Sequence, residues 1–313
     1  MATKTKRRPP KRPRIQNPTR QTTPPRRPWL LYGTAAAGLV AVVIALALAV
    51  FNGGGRSGEQ ASVGLPDTPD YHSLLVNPTD PRKLVLGTHV GLYASSDSGR
   101  HWRFDALPGD DAMNLARAGG ETMWLAGHEV FKRSTDGGAT WSDVRPAGLP
   151  GLDIHGFTVD PRKPNVLYAA VAGQGLYRSR DGGRAFSLVS KDIGGSVMAL
   201  AVLPDGRILA GDMQQGLLES SNGGASWRRT LRAQLMGLAV NPSDAKRLLA
   251  AGSGIALSTD GGRTWRSVLN LQDGVGPVAW SRSSPELAYA VGLNRTLYRS
   301  RDGGENWQPI EGS

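Results

Sequence analysis

SSDSGRHW (95–102), STDGGATW (134–141), SRDGGRAF (179–186), SSNGGASW (220–227), STDGGRTW (258–265) and SRDGGENW (300–307) are six copies of one short phrase. Their leading serines lie 39, 45, 41, 38 and 42 residues apart. A repeat of this length is one supersecondary unit, too small to bury its own apolar face, so the units must stack against one another. Within each copy one position, occupied by Asp97, Asp136, Asp181, Asn222, Asp260 and Asp302 in turn, is suited to accept backbone N–H bonds across a tight turn. The glycines supply positive φ, and the trailing Trp, or Phe186 in the third copy, packs back over the hairpin. These six residues are therefore read as structural clasps.

The stretches between the copies are short apolar runs separated by turn residues. Unit three shows them most clearly as HGFTVDP (155–161), PNVLYAAV (164–171), GLYRSRD (175–181) and AFSLVS (185–190). Units one, four and five repeat that pattern, and units two and six follow it more loosely. Four short strands per unit with an aromatic signature predict an all-β protein, a six-bladed β-propeller over residues 67–313. Too little chain is left for a seventh blade. The ring is expected to close by packing its first blade against its last, with residues 58–66 available as a closing strand.

At the repeated phrase the chain resembles the Asp-box, or BNR-repeat, propellers, which include sialidases, xyloglucanase-type glycosidases, the sortilin ectodomain and photosystem II assembly-factor-like proteins. The resemblance covers residues 71–310. It implies the fold and leaves function open between catalyst, receptor and assembly factor, since one fold hosts all three. The blade openings DYHSLLVNPTDP (70–81) and DIHGFTVDPRKP (153–164) look most like those of bacterial repeat proteins labelled glycosyl hydrolases by analogy. A sialidase-like site would need an F/Y-R-I-P motif ahead of the boxes, and the sequence has none. Sialidase activity is not expected.

The formal charge of +11 is a property of the N-terminus. Residues 1–28 hold ten Lys or Arg and no acid, while the rest of the chain has 27 basic and 26 acidic residues. The repeat region is near neutral, which argues against nucleic acid as a partner. The proline-rich basic tail is expected to be disordered and cytoplasmic. Residues 29–51 form an uncharged, mostly apolar run, against the roughly 20 residues a helix needs to cross the hydrocarbon core. This predicts a transmembrane signal anchor with Trp29 and Tyr32 at the interface and the basic cluster on the cytoplasmic side. A cleaved signal peptide ending near Ala47-Leu48-Ala49 is the competing reading. Residues 52–66 read as a flexible tether, leaving the propeller outside the cytoplasm at the plasma membrane. With no cysteine, the repeat region has neither disulfides nor thiolate ligands.

Candidate site residues lie at the blade entries. Aligned on the Pro that ends the first strand (Pro78, Pro161, Pro204, Pro242), the residue six earlier is His72, His155, Met198 or Met236; the D-x-M of unit two adds Met113. Turns opening on the same face carry His89, His128 and Met213. Imidazole with thioether suits copper, Cu(I) above all, and His72, Met113, His155, Met198 and Met236 are the expected ligand set. The same connections hold Asp70, Asp110, Asp111, Asp153, Asp192 and Asp273. A glycoside hydrolase would need two such carboxyls flanking the scissile bond, with Asp70, Asp111 and Asp153 as the catalytic candidates. The favoured expectation is a membrane-anchored binding or assembly module that presents this face to a protein, peptide or glycan. A non-sialidase glycoside hydrolase is the alternative.

Overall fold

A computed structural model describes residues 62–311. The basic tail, the proposed membrane span at 29–51 and most of the tether lie outside the described residues. Among the described residues no helix is long and apolar enough to cross a membrane.

The described residues form 25 strands in six antiparallel sheets, and within each blade four strands follow chain order from the inner to the outer position. Blade one holds β2 (Ser73–Val76), β3 (Leu84–Thr88), β4 (Gly91–Ser95) and β5 (His101–Ala106). Blade two holds β6 (Asn114–Arg117) to β9 (Ser142–Asp143), and blade three β10 (Ile154–Asp160) to β13 (Ser187–Ser190). Blades four, five and six open on β14 (Val197–Val202), β18 (Leu235–Val240) and β22 (Val275–Trp280). The six-bladed all-β architecture expected from the repeats is the one found.

Each blade is apolar on both faces, so its core lies in the seams. Leu92 of blade one meets Leu125 and Val130 of blade two, and Trp124 and Phe131 of blade two meet Ile154 and Phe157 of blade three. The next three seams are built the same way, around Leu176 with Leu200, Leu217 with Leu235, and Leu257 with Val275. The sixth seam closes the ring. There Leu74, Leu86 and Trp102 of blade one pack with Ala279, Tyr289 and Leu297 of blade six, and the buried Tyr289 hydroxyl donates to the Pro81 carbonyl at 3.1 Å.

Closure needs no shared strand. Ser62–Val63 does add a strand, but it pairs with the outer strand of blade one, at Ser62 with Trp102 and Val63 with His101, and not with blade six. The segment after it is pinned as well, because the Tyr71 hydroxyl donates to the Pro66 carbonyl at 2.7 Å and Leu65 packs on the closing seam. Part of the stretch read as tether is thus blade.

All six clasps form as expected from their residue types. In the last copy Ser300 Oγ donates to Asp302 Oδ1 at 2.8 Å and accepts from Gly304 N at 2.9 Å, while Asn306 N donates to the same carboxylate oxygen at 3.0 Å. Ser220 and Asn222 make the equivalent bond at 2.9 Å, which shows that the clasp uses the side-chain oxygen and not the charge. Ser300 is fully buried. Replacing it by Ala removes one donor to Asp302 and strands the Gly304 N–H, so Ser300→Ala should lower the unfolding free energy by about 1–3 kcal/mol in chemical denaturation.

Candidate functional site

The innermost strands enter the ring through a shared irregularity. Pairing skips one residue between Ile154 and Gly156, between Val197 and Ala199 and between Leu235 and Gly237, which leaves His155, Met198 and Met236 as the bulged residues of three successive blades. A bulge re-aims the side chain it carries. His72, Met113, Met198 and Met236, together with Tyr71, Gly276 and Pro277, line one small cavity on the axis. The structure therefore brings together four of the five residues expected from the proline alignment and the D-x-M of unit two. The fifth, His155, turns instead toward Asp153 and His128.

Over blades one to three the entry aspartates and the turn histidines interleave into a ladder. His89 Nε2 lies 3.0 Å from Asp70 Oδ2 and its Nδ1 2.9 Å from Asp111 Oδ2. Asp111 Oδ2 also holds His128 Nδ1, at 2.5 Å. His128 Nε2 then lies 3.4 Å from Asp153 Oδ1 and 3.0 Å from His155 Nε2, and Asp153 Oδ1 is 3.0 Å from His155 Nε2. His72 meets the first rung edge-on, its ring centroid 4.2 Å from that of His89. The three catalytic candidates, Asp70, Asp111 and Asp153, are all members of this ladder.

Two local features set the spacing. Asn114, buried at the start of β6, donates through Nδ2 to the His155 carbonyl at 3.1 Å and accepts from Phe157 N at 3.1 Å, bolting the entry of blade three to blade two. Gly127, at the end of β7 (Met123–Gly127), lies so close to the Asp111 carbonyl that a Cβ would sit 1.9 Å from its oxygen. Only glycine permits that approach, and it brings His128 over Asp111. Nothing in the sequence marks Asn114, since its role depends on a neighbouring blade.

The ladder separates the charge states of its histidines. Burial opposes protonation of His89, but hydrogen bonds to Asp111 and Asp70 outweigh it and hold the imidazole up at about 9. His128 is raised chiefly by its bond to Asp111. Burial lowers His72 to about 4, helped by the positive His89 beside it, and burial also lowers His155. The carboxylates shift the other way. Asp70 is lowered by its bond to His89, and in Asp111 the bonds from His128 and His89 overcome the burial that would raise it. The arrangement is one of paired ions around a neutral His72 whose buried Nε2 has no hydrogen bond.

The other candidates fall elsewhere. Asp110 pairs with Lys132 at 3.2 Å, Asp192 N is held by Ser190 Oγ, and the remaining histidine, His101, is bound to the first clasp, 2.6 Å from Asp97. None joins the ladder. In blade four the equivalent entry is closed off, because Ser196 Oγ donates to Asp212 Oδ1 at 2.7 Å.

Comparison with known proteins agrees with this architecture. A xyloglucanase of Hypocrea jecorina is 36% identical over 108 residues, 31% of this chain, and the chain spans only 13% of that enzyme's length. The photosystem II assembly lipoprotein Ycf48 of Synechococcus is 24% identical over 247 residues, covering 74% of this chain and 72% of the relative. Among solved structures, YCF48 bound to D1 peptide superposes with a TM-score of 0.52 at 20% identity, covering 80% of this chain and 84% of the other. The family described as photosynthesis system II assembly factor YCF48 matches residues 70–312, almost the whole propeller, and the chain belongs to that family.

Proposed function

We propose that this chain is a binding and assembly module, anchored in the plasma membrane by residues 29–51, whose extracytoplasmic propeller docks a peptide segment of a membrane-protein partner on the ladder face. The observation that carries the reading is the ladder itself, in a family whose relatives include an assembly lipoprotein and a propeller bound to a peptide. Asp70, His128 and Asp153 keep 45–49% of their side-chain surface open. They offer a docked chain both acceptors and donors, and polar groups converging at a propeller mouth suit backbone and side-chain recognition. The apolar run at 29–51 and the basic residues before it support the anchor and its orientation.

Two observations weigh against the hydrolase. A glycosidase acid needs a raised pKa, whereas Asp70 and Asp111 are held below the ordinary carboxylate range by histidines. Both are spent on ion pairs. The docking reading predicts that a membrane-protein partner co-purifies with the full chain from solubilised membranes and is lost on Asp70→Ala with Asp153→Ala. Lys163→Glu, at the far end of blade three, should retain it. Turnover of xyloglucan or chromogenic glycosides that disappears on Asp70→Asn or Asp153→Asn would establish the enzyme instead.

The axial cavity supports a copper role within the same module. His72 offers an unbonded, neutral Nε2 among Met113, Met198 and Met236, a donor set of the kind Cu(I) prefers. Titration of the full chain with Cu(I) should show binding that His72→Ala removes, while His155→Ala should leave it largely intact because His155 lies outside the cavity. Equal binding by His72→Ala would rule this site out.

A further inference from the structure

We infer that His128, Asp153 and His155 form a zinc site bridging blades two and three. The geometry points to a cation and not to mutual hydrogen bonding. Three donor atoms, His128 Nε2, His155 Nε2 and Asp153 Oδ1, stand 3.0, 3.0 and 3.4 Å apart. Ligand atoms about 2.0–2.2 Å from a tetrahedral zinc stand about 3.3–3.6 Å from one another, so one ion just above the plane of the three fits with shifts of a few tenths of an ångström. Left without an ion, the trio is poorly satisfied. Two imidazole nitrogens face each other at 3.0 Å, and Asp153 Oδ1 is shut from solvent with no hydrogen-bond partner.

The surroundings are those of a metal ligand set. Asp111 Oδ2 is placed to accept the Nδ1–H of His128, and in the neutral imidazole that bond directs the Nε2 lone pair toward the other two ligand atoms. A carboxylate behind a ligating histidine is the usual second layer of a zinc site and strengthens the ligand. Asn114 holds the His155 backbone, so the two blades deliver their ligands at a fixed separation. The neighbouring groups around His89 differ in kind. Both ring nitrogens of His89 are already committed to carboxylates, at 2.9 and 3.0 Å, and leave no lone pair for a cation.

With three protein ligands and an open fourth position, the site takes Zn²⁺ together with a water or a side chain brought by a docked partner. This inference stands apart from the docking reading, since the ion binds whether or not a peptide does. The test uses the full chain purified in detergent and stripped with chelator. Calorimetric titration with Zn²⁺ should show one equivalent bound, and Co²⁺ in its place should give the intense visible absorption of a tetrahedral centre, a readout that needs no variant. Asp153→Asn and His155→Gln should each weaken zinc at least tenfold, Asp111→Asn about 10–100-fold through its hold on His128, and Asp273→Asn not at all, with far-UV circular dichroism confirming the fold of each. Absence of Zn²⁺ binding, an octahedral Co²⁺ spectrum, or undiminished affinity in a folded His155→Gln protein would each overturn the site.

Discussion

The structure depends on one constraint: no blade can bury its own faces, so every apolar cluster straddles a seam and the ring must close for the first and last blades to cover their outer faces. Closure is achieved by side chains alone, with Leu74, Leu86 and Trp102 of the first blade packed on Tyr289 and Leu297 of the last. Side-chain closure of this kind trades the directional hydrogen bonds of a shared strand for burial, worth roughly 25 cal/mol for each Å² of apolar surface removed from water. It also fixes the order in which parts acquire meaning. The clasps are local and can form within one hairpin, whereas the ladder exists only when blades one, two and three stand side by side.

That difference explains what the sequence made legible. The clasps recur with Ser, Asp or Asn and Gly at fixed offsets, so their role follows from local turn chemistry and the structure repeats it six times. The count of six blades among the described residues follows from the same spacing. The boundary of the tether did not, because Ser62–Val63 owes its strand pairing to the outer edge of blade one, over 35 residues away in the chain. Short segments of low apolar content carry no pattern that distinguishes linker from edge strand.

The site was half legible. Asp70, Asp111 and Asp153 stood out as entry carboxylates, and His89 and His128 as turn histidines on the same face. Their interleaving did not, since alternation of acid and imidazole is a property of neighbouring blades and not of neighbouring residues. The proline alignment, extended to Met113 by the D-x-M of unit two, selected His72, Met113, Met198 and Met236, which line one cavity, yet it gave His155 the same environment. The bulge that it shares with Met198 and Met236 puts it at the equivalent position, but Asp153 beside it and His128 from the preceding blade draw the ring away from the axis. Asn114 carried no signal at all.

The account's central claim is that the packing of blades one, two and three assembles their entries into one array of alternating acids and imidazoles. Histidine side-chain ¹⁵N NMR, followed across pH on the full chain in chelator, reads that array directly. His89 should remain an imidazolium with both nitrogens protonated at neutral pH and titrate near 9, while His72 stays neutral down to about 4. A raised imidazole bound to carboxylates loses its proton only as pH climbs through that upper value, so its signals should shift well above the ordinary histidine range of about 6.5. Titration of His89 and His72 together near that ordinary value would contradict the array and the side-by-side packing of blades one to three that produces it.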